Sequence, residues 1–176
     1  MHPGQNGNVV GRFHFFRDPQ GRTVPVLYGS DQVDGAIAET VFHDVPVLGE
    51  YRVVLESRLD SLSIVWLAPS RALRLVELFG HGLRRLGVRA SQLTDTEASE
   101  YVRTVAWAEV FYRELGDVDG LIWVSRQFNV AKACVLFGGR LDSGQLTITG
   151  APWPLRYGPG RDLVDQAAVH AGITIV

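Results

Sequence analysis

Four residues of this chain have side chains suited to chemistry on an anionic, hydroxyl-rich ligand. They are Arg12 in "GRFHFF", Tyr28 at the end of "VPVLY", Glu39 in "GAIAETVFHD" and Ser125 at the end of "LIWVS". Arginine pairs with phosphate through a planar fork of donors. A tyrosine ring stacks on a base or sugar. A glutamate accepts from ribose hydroxyls or supports a developing cation, and a serine donates to a carbonyl or phosphate. Each residue also has an ordinary reading. Tyr28 could reach the edge of the core, Arg12 could lie on the surface, and Ser125 could be a turn residue. Ser125 has no G-x-S-x-G context, which argues against a hydrolase-type nucleophile. Glu39 falls about 120° from the centre of its helix's apolar stripe. Gly35 and His43 share its side, so Glu39 and His43 could also be a weak pair on a solvent-facing edge. A glycine inside a helix costs about 1 kcal/mol relative to alanine, which predicts a close approach to the helix at Gly35. The set suits ligand recognition without naming a reaction.

These residues need elements to position them. The pattern predicts a strand "RFHFF", with Arg12, His14 and Phe16 on one face and Phe13 and Phe15 on the other. The turn "RDPQGR" and the strand "VPVLY" follow. Val33, Ala36, Ile37, Thr40 and Val41 form one stripe, which predicts a helix from Asp31 to Phe42. "RVVLES" and "SIVWL" read as strands. Ser70 is expected to cap a helix running to about Leu86, with Gly80 and Gly82 weakening its middle. Thr94 and Glu97 have the spacing of a capping box, opening a helix marked by Ala98, Tyr101, Val105, Ala108, Tyr112 and Leu115. The strands "LIWVS", "ACVLF" and "QLTIT" come next. A Pro-rich loop "GAPWPLRYGPG", a helix from Asp162 to Ala171 and a last strand "ITIV" complete the chain, and "MHPGQNGNVVG" at its start reads as irregular. Strands and helices do not alternate strictly, which favours α+β. Neither a Rossmann fingerprint nor a P-loop is present.

Composition sets bounds. The 176 residues suit one domain, 1–176, with a sizeable core. Hydrophobic residues are 46% and charged residues 20%, as in an ordinary soluble globular protein. A formal net charge of −2 does not point to nucleic acid or an anionic membrane as a partner. Lys132 is the only lysine among many arginines, which reads as base-composition bias. The single cysteine, Cys134, excludes an internal disulfide and a site of several thiolates. Amid Ala, Val and Leu it reads as a small buried hydrophobe. No metal is expected. No apolar run has the length of a membrane span and no signal segment is evident, so the expected location is cytoplasmic.

The order of these segments resembles a known family. "GRFHFF", "PVLYGSD" and "GAIAETVFHD" are similar to the start of the RES domain, named for its Arg, Glu and Ser. "YVRTVAWAEVFY", "DGLIWVSRQF" and "ACVLFG" resemble its second half, so the likeness runs from Gly11 to Gly138. The resemblance implies a toxin of a type II toxin–antitoxin pair, with an Xre-type helix-turn-helix antitoxin as partner and a homodimer left open. It implies an ADP-ribosyltransferase-like split two-sheet core with flanking helices and a cleft for NAD⁺. It also implies cleavage of the nicotinamide–ribose bond, with NAD⁺ as substrate rather than cofactor and inorganic phosphate as a candidate co-substrate.

Carried over motif by motif, the resemblance makes Glu39, Arg12 and Tyr28 the catalytic set and Arg12, Tyr28 and Ser125 the NAD⁺ contacts. His43 would orient the helix or Glu39 rather than touch NAD⁺. Two departures stand out. Family members usually carry a further arginine upstream of the G-R-F motif, and none of the ten residues before Gly11 is Arg. That is expected to mean a lost contact or a shortened start. Ser125 has a poorer rival in Ser99. Two readings compete with an NAD⁺ phosphorylase or glycohydrolase: a protein ADP-ribosyltransferase, and a catalytically weak member that binds an antitoxin or nucleotide.

Overall fold

A computed structural model describes residues 11–49 and 51–176. The elements are β1 (Val26–Ser30), α1 (Val33–Thr40), β2 (Val53–Val54), β3 (Ser63–Pro69), β4 (Leu75–Glu77), α2 (Gly80–Leu86), α3 (Ala90–Leu93), α4 (Tyr101–Glu114), β5 (Gly120–Val124), β6 (Lys132–Phe137), β7 (Leu146–Pro154), α5 (Gly158–Ala171) and β8 (Thr174–Ile175). The architecture is α+β. A four-stranded sheet has the order β1-β6-β5-β4, and two-stranded sheets pair β2 with β8 and β3 with β7. Among the described residues no helix is long and apolar enough to cross a membrane. The irregular segment expected at 1–10 lies outside the described residues.

The sheet's inner face follows from its register. Tyr28 pairs with Val135 and Leu121 with Val135, while Ser30 pairs with Ala133 and Trp123 with Ala133. Side chains alternate along a strand, so these rows point the same way. Val135, Leu121, Trp123 and Ala133 are buried there with Phe13, Phe16, Val105, Ala108 and Phe111, so α4 closes this core. A second core gathers Ile37, Val41 and Phe42 beside α1 with Val54, Leu59 and, on α5, Val164, Ala167 and Ala168. Helix α1 therefore stands between the edge of the main sheet and the second core.

Gly35 explains how closely α1 docks. A Cβ at Gly35 would lie 2.5 Å from Ser30 Oγ and 2.7 Å from Ala131 Cβ. The close approach expected at this glycine is thus made by the sheet edge. Glu39 lies one turn further along the same side.

Several expectations are corrected. "RFHFF" is not a strand; it forms an isolated bridge between Gly11 and His14. Phe13 and Phe16 are both buried, a spacing that alternation cannot produce. Helix α1 ends at Thr40, so His43 lies beyond it and the helical pair with Glu39 does not form. The expected helix from Ser70 splits into β4 and α2, because Leu75 to Glu77 pair in parallel with Gly120 to Ile122. Gly80 has φ +50°, and a Cβ at Gly82 would strike the Glu77 carbonyl oxygen at 1.8 Å. Both glycines serve the tight passage from strand to helix. "RVVLES" contributes only β2 before a 3₁₀ turn, Glu56–Leu59. The expected capping box does not form, since α4 starts at Tyr101 and Glu97 pairs with Arg126. The Pro-rich segment from Gly150 to Pro154 continues strand β7.

Candidate active site

A cleft of about 750 Å³ opens between the two cores, within the range of small-molecule sites. Its wall includes Arg12, Tyr28, Glu39 and His43. Ser125 is not on the wall; it is 1% exposed and sits behind Glu39.

Ser125 follows β5, where the chain turns towards β6. Its Oγ accepts from the Phe128 N–H at 2.9 Å and donates to Glu39 Oε1 at 2.6 Å. The first bond leaves the hydroxyl proton free to point at the carboxylate. Hydrogen bonds to a charged acceptor are short and strong. Oε1 is bonded to Ser125, while Oε2 makes no hydrogen bond among the described residues, so it is the oxygen left for a ligand. Ser125, expected among the NAD⁺ contacts, lies behind Glu39 and bonds its carboxylate.

Tyr28 presents its ring to the cleft. Its hydroxyl accepts from the Phe13 N–H at 3.1 Å and lies 2.9 Å from His14 Nδ1. Burial holds the phenol protonated well above its usual range. The Trp123 ring stands at 81° to it with centroids 6.2 Å apart. This end of the cleft is aromatic.

Arg12 lies at another part of the wall. Its Nε donates to Thr96 Oγ1 and its Nη2 to the Thr96 carbonyl, each at 3.3 Å. Its guanidinium sits 5.7 Å from the Tyr101 ring centroid, within cation–π range. Arg126 Nη1 also donates to the Thr96 carbonyl, at 3.2 Å, and its other nitrogens pair with Asp95 and Glu97. Segment 95–97 is thus pinned by two arginines.

His43 is also among the lining residues. Its Nδ1 lies 2.8 Å from Asp44 Oδ1, and Arg58 Nη1 donates to Asp44 Oδ2 at 3.0 Å. The His43 bond, then the Arg58 bond, hold the Asp44 carboxyl below its usual range. His43 bonds Asp44 rather than Glu39. Ser99 is exposed on a 3₁₀ turn, Ala98–Glu100, and is not among the lining residues. Cys134 is half-buried in β6, and burial pushes its thiol up, away from the reactive thiolate. Among the described residues no group of three or more His, Cys, Asp and Glu could hold a metal ion.

Sequence reasoning missed His14, Tyr101, Trp123, Arg58 and Arg126 as wall residues. Arg126 had a signal, since it adjoins Ser125. His14 had one too, since the strand reading set it on the same face as Arg12, but its partner hydroxyl comes from β1 and leaves no local mark.

The model of the RES domain matches residues 2–158 of the 176. The chain belongs to the RES domain family. The match extends past both ends of the resemblance read from the motifs. RES domains are known in toxin–antitoxin systems, so membership fits a toxin role with an antitoxin partner. No curated protein and no solved structure matches the chain.

Proposed function

We propose that this RES domain cleaves the nicotinamide–ribose bond of NAD⁺, as an NAD⁺ phosphorylase or glycohydrolase. The support is a single arrangement: Glu39, tethered by Ser125, shares one cleft with Arg12 and with the Tyr28 ring. The bond between the anomeric carbon and the pyridinium nitrogen breaks heterolytically. The electron pair leaves on nitrogen, nicotinamide departs neutral, and no acid need protonate it. The ribosyl group gains positive charge, as in other glycoside cleavages. Glu39 stabilises that charge through Oε2 and accepts from a ribose hydroxyl. Arg12 clamps the diphosphate, while Tyr28 and Trp123 shelter the nicotinamide. A phosphate oxygen or water then bonds to the anomeric carbon, and with water the released proton passes to solvent. NAD⁺ is the substrate, and no further cofactor is invoked.

Family membership supports the wider reading of a toxin restrained by an Xre-type helix-turn-helix protein. The cleft between two cores supports likeness to the ADP-ribosyltransferase fold. The test is incubation of the purified protein with NAD⁺, with and without inorganic phosphate. Nicotinamide with ADP-ribose 1″-phosphate identifies the phosphorylase, and nicotinamide with free ADP-ribose the glycohydrolase. Absence of nicotinamide contradicts the proposal.

A further inference from the structure

We infer that His14 is a positioning residue, holding the Tyr28 ring on the cleft wall through a hydrogen bond that only the neutral Nε2–H tautomer of His14 can accept. The inference rests on the NAD⁺-cleavage reading for its kinetic consequences, but its geometry stands alone.

A phenol has one proton to donate. The Phe13 N–H already donates to the Tyr28 hydroxyl oxygen at 3.1 Å, so the hydroxyl proton is free to point elsewhere. His14 Nδ1 lies 2.9 Å away. If Nδ1 carried a proton, the oxygen would accept twice and its own proton would need another acceptor. The consistent assignment has Tyr28 donating to Nδ1 and the ring proton on Nε2. His14 is 8% exposed, and burial lowers its pKa, so the neutral ring is the resting form.

The ring is also locked. A Cβ at Gly11 would lie 2.2 Å from His14 Cε1, so the ring packs directly over that backbone. Phe15 packs against it with centroids 4.6 Å apart. The imidazole can therefore act as a fixed stop for the Tyr28 hydroxyl. The titratable groups sharing the cleft are Arg12, Glu39, His43, Arg58, Glu97, Tyr101 and Arg126. Burial is what lowers the His14 pKa.

Protonation of His14 turns Nδ1 into a donor and breaks this arrangement. Activity should then fall as the pH drops through the lowered His14 pKa. His14→Asn tests this, because Asn Oδ1 can take the place of Nδ1 as an acceptor and does not titrate. We expect His14→Asn to keep nicotinamide release within about twofold of wild type at neutral pH. Its acid limb should keep only the step due to the carboxylates. His14→Phe, which lacks an acceptor, should lose about tenfold in kcat/KM. Tyr28→Phe should lose a similar factor, and the double variant should be no worse than either single change. Independently of activity, ¹⁵N NMR of the folded wild-type protein should show the Nε2–H tautomer and a His14 pKa matching the lost limb. An Nδ1–H tautomer would overturn the inference. So would an acid limb unchanged in His14→Asn, or additive losses in the double variant. If His14→Phe fails to fold, the Asn variant and the NMR assignment still decide. Wild-type protein that releases no nicotinamide at any pH would sink the NAD⁺ reading, and the NMR tautomer would then decide the positioning claim by itself.

Discussion

Ser125 Oγ stands 2.6 Å from Glu39 Oε1 although 86 residues separate them in the chain. The serine closes the turn after β5, and the glutamate rides on α1. Their meeting depends on α1 docking against the β1–β6 edge at Gly35.

Ser125→Ala removes the donor to Glu39 and the acceptor for the Phe128 N–H at once. Unpairing a buried polar group costs about 1–3 kcal/mol, so the urea midpoint should fall. Nicotinamide release should lose kcat with little change in KM, because the serine acts on the carboxylate. A raised KM with unchanged kcat would instead place Ser125 on the substrate.

Gly35→Ala separates local from tertiary energetics. Helix propensity alone favours alanine by about 1 kcal/mol. The added methyl would meet Ser30 Oγ, which can rotate away, and Ala131 Cβ, which is fixed to the backbone. Forced overpacking costs about 1–3 kcal/mol, so the variant should be less stable and α1 should shift. Calorimetry reads the sign directly, and a raised Tm would refute this account of the docking.

The parts that sequence patterns revealed are those built from local signals. The apolar runs of β5 and β6 and the stripe of α1 were visible as periodicities. Gly35 signalled a close approach, but its partners, Ser30 and Ala131, belong to a strand end and a distant loop. The segment from Leu75 to Glu77 has helical spacing, yet parallel pairing with β5 overrides it, and such pairing leaves no local mark. "RFHFF" alternates in sequence but wraps Phe13 and Phe16 into one core. In the candidate site, Arg12, Tyr28 and Glu39 were named through motif resemblance, and they do share one cleft. The roles of Ser125 and His14 depend on hydrogen bonds across the fold, which spacing cannot report.

Arg12→Lys keeps the charge but loses the planar fork that holds Thr96 and faces the cleft. Hydrogen bonds to charged groups contribute about 1.5–3 kcal/mol. KM for NAD⁺ should rise about tenfold or more, with a smaller effect on kcat. Steady-state kinetics of nicotinamide release check this.

Acid stability should track Asp119. Its carboxylate is clasped by Arg71 through two bonds of 2.7 Å and accepts from the Arg74 N–H at 2.8 Å. The Arg71 bonds chiefly hold its pKa below the usual carboxylate value. A carboxyl lowered in the folded state contributes stability above its unfolded pKa and loses it as pH falls through the folded one. Unfolding midpoints measured from neutral pH downward should therefore drop below the ordinary aspartate range. Asp119→Asn should lower the neutral-pH midpoint and flatten that dependence.

The central claim concerns the charge on Glu39. Glu39→Gln keeps size and hydrogen-bonding reach but removes the carboxylate that would face a ribosyl cation. An exposed pair contributes only about 0.3–0.5 kcal/mol, whereas loss of a preorganised electrostatic contact costs on the order of 10²–10³ in rate. Binding of intact NAD⁺ should change much less, since the charge matters most where positive charge develops. The decisive measurement is nicotinamide release from NAD⁺ by folded Glu39→Gln protein beside wild type. The account predicts wild-type turnover and a loss of about 10²–10³ in kcat in the variant, with NAD⁺ still bound. Near-normal turnover in Glu39→Gln would contradict it.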